Sequence, residues 1–305
     1  MANTLNVGNA NFENAAGEVL VSNGIAVVSN QIWIGKSGAT LTKSTLWVDG
    51  GLLRMGAGSW LTYPNGQWVQ TGGSYTSPTQ SAGNNMSGYM ELRGGSYYQG
   101  GDFISVGGAG LGQSATMIIT NDAELRLVAG STNFSRTTYL AVGGNASAFT
   151  KGEVLVAGGS LIMTNSLGRF APGGTVRSNN GDIVLGINSR NSGTLRIQGG
   201  RVHVYQVWLG GHNFQSVSGG GFGNAIVYGS TNFLYVSGGE LYTMRGFSQY
   251  GTVNPVHEPC TSNIYLSGGT IGALGEWLTT LNITLTNSPG PGLTRFDPNG
   301  NLMTL

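Results

Sequence analysis

The sequence predicts an all-β, single-domain parallel β-solenoid (β-helix) with variable loop insertions, and three observations carry that prediction. Glycine supplies 54 of the 305 residues and charged residues only 9%, against usual shares of about 7% and about 25%. One phrase, an alternating apolar strand, a Gly pair and a second alternating strand, recurs along the whole chain. No stretch carries a sustained i, i+3, i+4 apolar stripe, and each glycine inside a helix would cost about 1 kcal/mol. Helix is therefore expected in under about a tenth of the chain.

The clearest copies of the phrase are Thr45 to Leu52, Glu153 to Leu161, Thr194 to Val202, Phe233 to Leu241 and Asn263 to Ile271. Degenerate copies run from Glu18 to Val27, Gln67 to Tyr75, Tyr89 to Tyr97 and Met117 to Leu127, with Asn23-Gly24 or Asn121-Asp122 standing in for the pair in the first and last. A second phrase alternates with the first, a short strand closing on glycine: Leu5 to Gly8, Ile32 to Gly35, Ile104 to Gly107, Leu140 to Gly143, Ile183 to Gly186 and Val207 to Gly210. One coil then reads strand, glycine corner, strand, short loop, strand. Residues 1–305 form one continuous solenoid of roughly nine or more coils, with 281–305 as a terminal coil and assembly segment.

Corresponding glycines recur at roughly 22 to 41 residues, as in a solenoid whose coils differ by loop insertions. The long insertions are expected at Ser74–Met86, Gly168–Asn180, His212–Asn224 and Gly246–Ser262. Period-2 strands send alternate side chains inward, so Val154, Val156, Leu161 and Met163 should face the core. Outward positions fall to Ser, Thr, Asn and Gln, which explains the low charge. A β-propeller would need four strands per blade at steadier spacing.

Composition excludes several functions. Fourteen Lys and Arg against 13 Asp and Glu give a net charge of +1, without the basic excess that displaces counterions from nucleic acid. Hydrophobic residues at 39%, with 12 Tyr and 6 Trp, separate the chain from disordered segments. The Gly pairs are too widely spaced for collagen. No window of about 18 apolar residues predicts a membrane span, and Met1-Ala2-Asn3-Thr4-Leu5 lacks the pattern of a secretory signal. Cys260, the single cysteine, cannot form an internal disulfide.

The Gly-Gly phrases, set among Thr, Ser and Asn, resemble the autotransporter-associated β-strand repeat (parallel β-helix, passenger-like) surface proteins of bacteria. Ile283-Thr284-Leu285-Thr286 and Thr294 to Leu305 resemble the coil with which such repeat blocks often end. The resemblance covers nearly the whole chain through motifs of low information content. It implies a right-handed solenoid, extracellular or at the cell surface, usually without a catalytic role, and it carries over no catalytic residue. The chain departs from the pattern in showing no signal peptide and, after Leu305, no membrane barrel or sorting anchor, which leaves the export route open.

The carboxylates are scattered nearly one per coil, whereas polysaccharide lyases and hydrolases need clustered acids. Only Asp122 and Glu124 share a strand face, and a solvated turn replacing the Gly pair in that copy is the favoured reading of them. Arg201, His203 and Tyr205 alternate with Val202 and Val204 and should line one outer face, fit for an anionic sugar, a neighbouring subunit or an ordinary polar exterior. His257-Glu258-Pro259-Cys260 holds three potential metal ligands without a second cluster, so no metal and no cofactor are expected. Ile34-Gly35-Lys36-Ser37 lacks the upstream glycine and following helix of a phosphate loop, and Gly108 to Gly112 reads as a strand corner rather than a dinucleotide turn. Asn85, Asn133, Asn145 and Asn282 begin glycosylation sequons.

Aromatic residues recur at like positions: Trp33, Trp47, Trp68, Tyr97, Tyr98, Tyr205, Trp208, Tyr235, Tyr242 and Tyr265. Alternation places Trp47, Tyr235 and Tyr265 outward, and with Tyr205 they are the outer-face binding candidates. An apolar exposed stripe usually marks an interface. A solenoid also has two open ends, here offering Leu5 and Val7 at one and Ile283, Leu285, Leu302, Met303 and Leu305 at the other. The expected function is a non-enzymatic structural protein that self-assembles head to tail into filaments or a surface layer. The alternative is a carbohydrate-binding adhesin passenger recognising a polysaccharide or cell-surface glycan, with a polysaccharide lyase or hydrolase ranked below it.

Overall fold

The computed structural model describes all residues except 9–15, 36–41, 57, 81–82, 102, 109–110, 129–138, 145–148, 165–180, 211–228, 250–258 and 287–291, and the backbone alone of 78–80. The described residues contain strands and turns and no helix. All pairings are parallel and join one coil to the next, as expected of a β-solenoid. A representative coil runs through Ser44–Val48, Leu52–Met55 and Ser59–Thr62, one strand on each of three faces.

On the first face nine successive pairings link ten strands, from Glu18–Val21 to Ile283–Leu285. The second face matches it, from the first half of Ile25–Ile34 to Arg295–Asp297. These are the strands that flank the Gly pair, and the short strands closing on glycine make the third face. That third sheet is interrupted after Phe247–Ser248, because Trp277–Leu278 pairs only with Met303–Thr304 in a separate two-stranded ladder.

Glycine is required at the corner between the first two faces. Gly73 and Gly95 sit at φ of 62° and 74°, and a Cβ on Gly95 would lie 2.2 Å from the Gly73 carbonyl oxygen of the coil before. Successive corners are thus stacked backbone on backbone. Asn121 takes the corner in its coil at φ 52°, a conformation Asn tolerates better than most side chains.

Inward side chains form one continuous core, in which Val154, Val156, Leu161 and Met163 are buried as alternation predicts. In the third and fourth of the ten coils it is aromatic: Trp68 lies 5.0 Å from Tyr75, which stacks on Tyr97 at 4.4 Å. Trp68 and Tyr97 therefore face inward. Some polar groups inside pair with one another, Trp60 Nε1 donating to Tyr97 OH at 2.7 Å and Asn84 Nδ2 to Gln99 Oε1 at 2.8 Å, whereas Trp68 Nε1 is buried without a hydrogen-bond partner.

Two insertion expectations are corrected. Ser74–Gln80 and Asn84–Met86 are strands of the regular coil, so Ser74–Met86 is not an insertion. Phe247–Ser248 is likewise a third-face strand. Gly168–Asn180 and His212–Asn224 lie outside the described residues.

Candidate functional site

The outer wall of the first face carries one row of side chains, one per coil: Leu20, Trp47, Val69, Glu91, Ile118, Leu155, Arg196, Tyr235, Tyr265 and Thr284. Trp47, Tyr235 and Tyr265 face outward as expected, each half-buried. Tyr235 stacks on Tyr265 at 5.1 Å and 12°, close to the inter-coil step of about 4.8 Å. The Arg196 guanidinium lies over the other face of Tyr235 at 4.2 Å and pairs with Glu153 at 2.7 Å. Tyr235 is thus sandwiched within the wall and turns its edge to solvent, leaving no open face for a sugar to stack on. On the same wall, Glu91 bridges Arg93 and the Tyr89 hydroxyl, each at 2.8 Å. Arg93 chiefly lowers the Glu91 pKa, while burial, followed by Glu91, pushes Tyr89 up to about 12.

On the second face, Arg201 and His203 point outward, and Arg201 pairs with Glu240 at 3.3 Å. Burial, reinforced by the Arg201 charge, holds His203 below the usual histidine range. Tyr205 is a correction. It is only 7% exposed, because the chain bends at this residue and ends the alternation that Arg201 and His203 obey. Asp122 lies exposed in the turn before Glu124, whose carboxylate is paired with Arg126 at 2.9 Å. Among the described residues no three His, Cys, Asp or Glu side chains converge as a metal group.

The third face departs from the expected polar exterior. Tyr139, Ala141, Val184 and Ile187 are buried in a second cluster, with Phe103 and Trp208 packed against it. Ala141 and Val184 alternate with the core residues Leu140, Val142, Ile183 and Leu185, so this cluster sits on the outer side of the sheet. Of the sequon residues, Asn85 is half-buried on this face and Asn282 is exposed. Asn133, Asn145, His257, Glu258, Lys36 and Ser37 lie outside the described residues. Cys260 is half-buried beside Gly210.

The corner between the third and first faces holds a buried polar column that motif reading missed. Asn232 Oδ1 accepts from Gly193 N at 3.3 Å and its Nδ2 donates to Ser230 Oγ at 3.0 Å. Asn191 Oδ1 accepts from Thr150 N at 3.2 Å, and Asn65 Nδ2 donates to Thr42 O at 2.8 Å. Asn232, Asn191 and Asn65 thus each pair with a buried or half-buried backbone group at this corner. The available signal was Asn or Ser just before or within most first-face strands.

Among the described residues, the end strands Ala2–Val7 and Glu18–Val21 each pair on one side only, as do Ile283–Leu285, Arg295–Asp297 and Met303–Thr304. Val7 is corrected from an end-surface residue to a core residue, 1% exposed, and Leu5 packs partly against the core. Ile283 and Met303 are half-buried, while Leu285, Leu302 and Leu305 are exposed. Leu302 lies on the wall of a groove of about 530 Å³ that also takes in Tyr205, Arg245, Glu276 and Trp277.

Among the described residues no helix is long and apolar enough to cross a membrane. No protein-family model, curated protein or solved structure matches this chain.

Proposed function

We propose that this chain is a structural β-solenoid subunit, working outside the cell, that associates end to end with further copies of itself into a filament or layer. The observation that supports it best is one row of the core. Val21, Val48, Gln70, Leu92, Ile119, Val156, Ile197, Val236, Leu266 and Leu285 stack in register through all ten coils. Leu266 is 0% exposed, yet Leu285, the same inward position one coil later, is 64% exposed. A large inward aliphatic left in water favours any partner that continues the row.

A second copy fits because the strands at the opposite end run in the same direction and have open edges on the first and third faces. Such a heterologous contact repeats without closing when its rotation is not cyclic, and a net charge of +1 opposes it with little repulsion. Composition and the resemblance to surface-displayed repeat proteins support the location. This reading assigns the chain no catalytic step.

Electron microscopy and light scattering over a concentration series test the proposal. Rods lengthening with concentration in steps of about 48 Å, ten coils at about 4.8 Å each, are expected, and Leu285→Asp should leave single-subunit rods. A monomer at millimolar concentration, or assembly unchanged in Leu285→Asp, would overturn it.

A further inference from the structure

We infer that the groove beside the break in the third sheet is a binding site for a short, neutral oligosaccharide. The groove exists because Trp277–Leu278 does not continue the ladder that ends at Phe247–Ser248. Its volume of about 530 Å³ falls within the range of small-molecule sites. The floor is fixed: Phe247 and Trp277 meet edge to face at 5.1 Å, and Trp277 Nε1 is anchored on Thr243 Oγ1 at 2.7 Å. A site resting on such a floor is preformed, which lowers the entropy lost on binding.

The rim mixes donors and acceptors. Arg245 Nε donates to the Tyr205 hydroxyl at 3.3 Å, leaving the outer guanidinium nitrogens to donate elsewhere. Gln206 Nε2 donates to Ser248 Oγ at 2.6 Å, so the serine proton and the Gln206 Oε1 lone pairs remain for a ligand. The Glu276 carboxylate supplies acceptors against the Arg245 charge, so the lining carries one charge of each sign. Leu278 and Leu302 add exposed apolar surface. Donors and acceptors beside apolar contacts, with no net charge, match the hydroxyls and C–H faces of a neutral sugar better than an anion or a cation.

A peptide strand does not fit the break. A Cβ on Gly246 would lie 2.6 Å from the Leu278 carbonyl oxygen, so the two strands already touch and cannot admit another between them. The site is also separate from the tyrosine wall, which lies on the first face.

The test is a glycan array of neutral hexose and N-acetylhexosamine oligosaccharides, with trigalacturonate as an anionic control, followed by calorimetry on the best ligand. Saturable binding is expected, weakened at least about tenfold by Arg245→Ala and by Glu276→Gln, since hydrogen bonds to charged groups are the stronger ones, and unchanged by Trp47→Ala. Both groove side chains are exposed, so circular dichroism should show the variants folded. No saturable binding to any neutral glycan, preference for trigalacturonate, or binding that survives both groove variants would overturn the inference. Leu285→Asp leaves the groove intact, so binding by that variant separates this site from end-to-end assembly.

Discussion

The Tyr242 hydroxyl donates to Asp297 Oδ2 at 2.5 Å, across the intervening coil. It reaches there because the residue between them in register is Gly272, and a Cβ on Gly272 would lie 2.1 Å from the Tyr242 ring. One glycine thus lets a tyrosine strap the last coil to the coil two steps before it. The hydrogen bond to Asp297, followed by burial, pushes Tyr242 up to about 12, and the same bond chiefly lowers the Asp297 pKa.

Gly272→Val should displace the Tyr242 ring and release Arg295–Asp297 from the strap. Hydrogen exchange should lose protection in that strand before the central coils respond. Tyr242→Phe keeps the ring and loses only the bond, so its effect should run the same way and be smaller. Equal protection in wild type and Gly272→Val would show that the strap does not hold the coil.

Tyr97→Phe tests the polar network inside the core. Its hydroxyl accepts from Trp60 Nε1 at 2.7 Å and donates to Gln99 Oε1 at 3.1 Å. Removing it strands a buried indole N–H and should cost about 1–3 kcal/mol. Urea denaturation should show the lower midpoint with an unchanged slope.

Asn232→Ala removes the side chain that accepts from Gly193 N and donates to Ser230 Oγ. Asn232 is fully buried, so water cannot readily replace it, and a loss of about 1–3 kcal/mol is expected. Asn232→Asp retains an acceptor for Gly193 N but buries a charge and should not restore stability in thermal melts at neutral pH.

His203 gives stability a pH dependence of definite sign. Its folded pKa lies below the unfolded value, so below about pH 6.5 the unfolded chain binds the extra proton and stability falls. The groups facing it are Arg201, Glu240 and the Tyr242 ring, the last at 5.1 Å. Denaturant midpoints should decline from pH 7 to pH 5 in wild type and decline less in His203→Gln. At the alkaline end Tyr89 and Tyr242, both pushed up to about 12, favour the folded state below pH 10. That contribution is lost as pH rises from about 10 to about 12. Tyr89→Phe should flatten that loss, and an alkaline limb identical to wild type would exclude Tyr89 from it.

The two recurring phrases were legible because strand alternation and glycine corners are local. Val154, Val156, Leu161 and Met163 point inward from their own neighbours' pattern alone, and Leu5 to Gly8 announces the third face as clearly as Val207 to Gly210. Tyr235 and Tyr265 were legible as outward residues. That they stack on one another, with Arg196 over the far side of Tyr235, was not, because it depends on which coil lies above which.

Alternation, coil order and the Gly-Gly corner were therefore determined by the sequence itself, since each is fixed by side-chain size and backbone freedom within a few residues. Tertiary structure decided the rest. Tyr205 became buried where the chain bends, Ala141 and Val184 joined a second cluster outside the sheet, and Gly272 made room for the Tyr242 strap. Leu302, exposed at its end of the solenoid, also lines the wall of a groove. Each outcome is set by neighbours about 25 to 55 residues away in the chain but one or two coils, about 4.8 or 9.6 Å, away in space, and a periodicity of two carries no information about them.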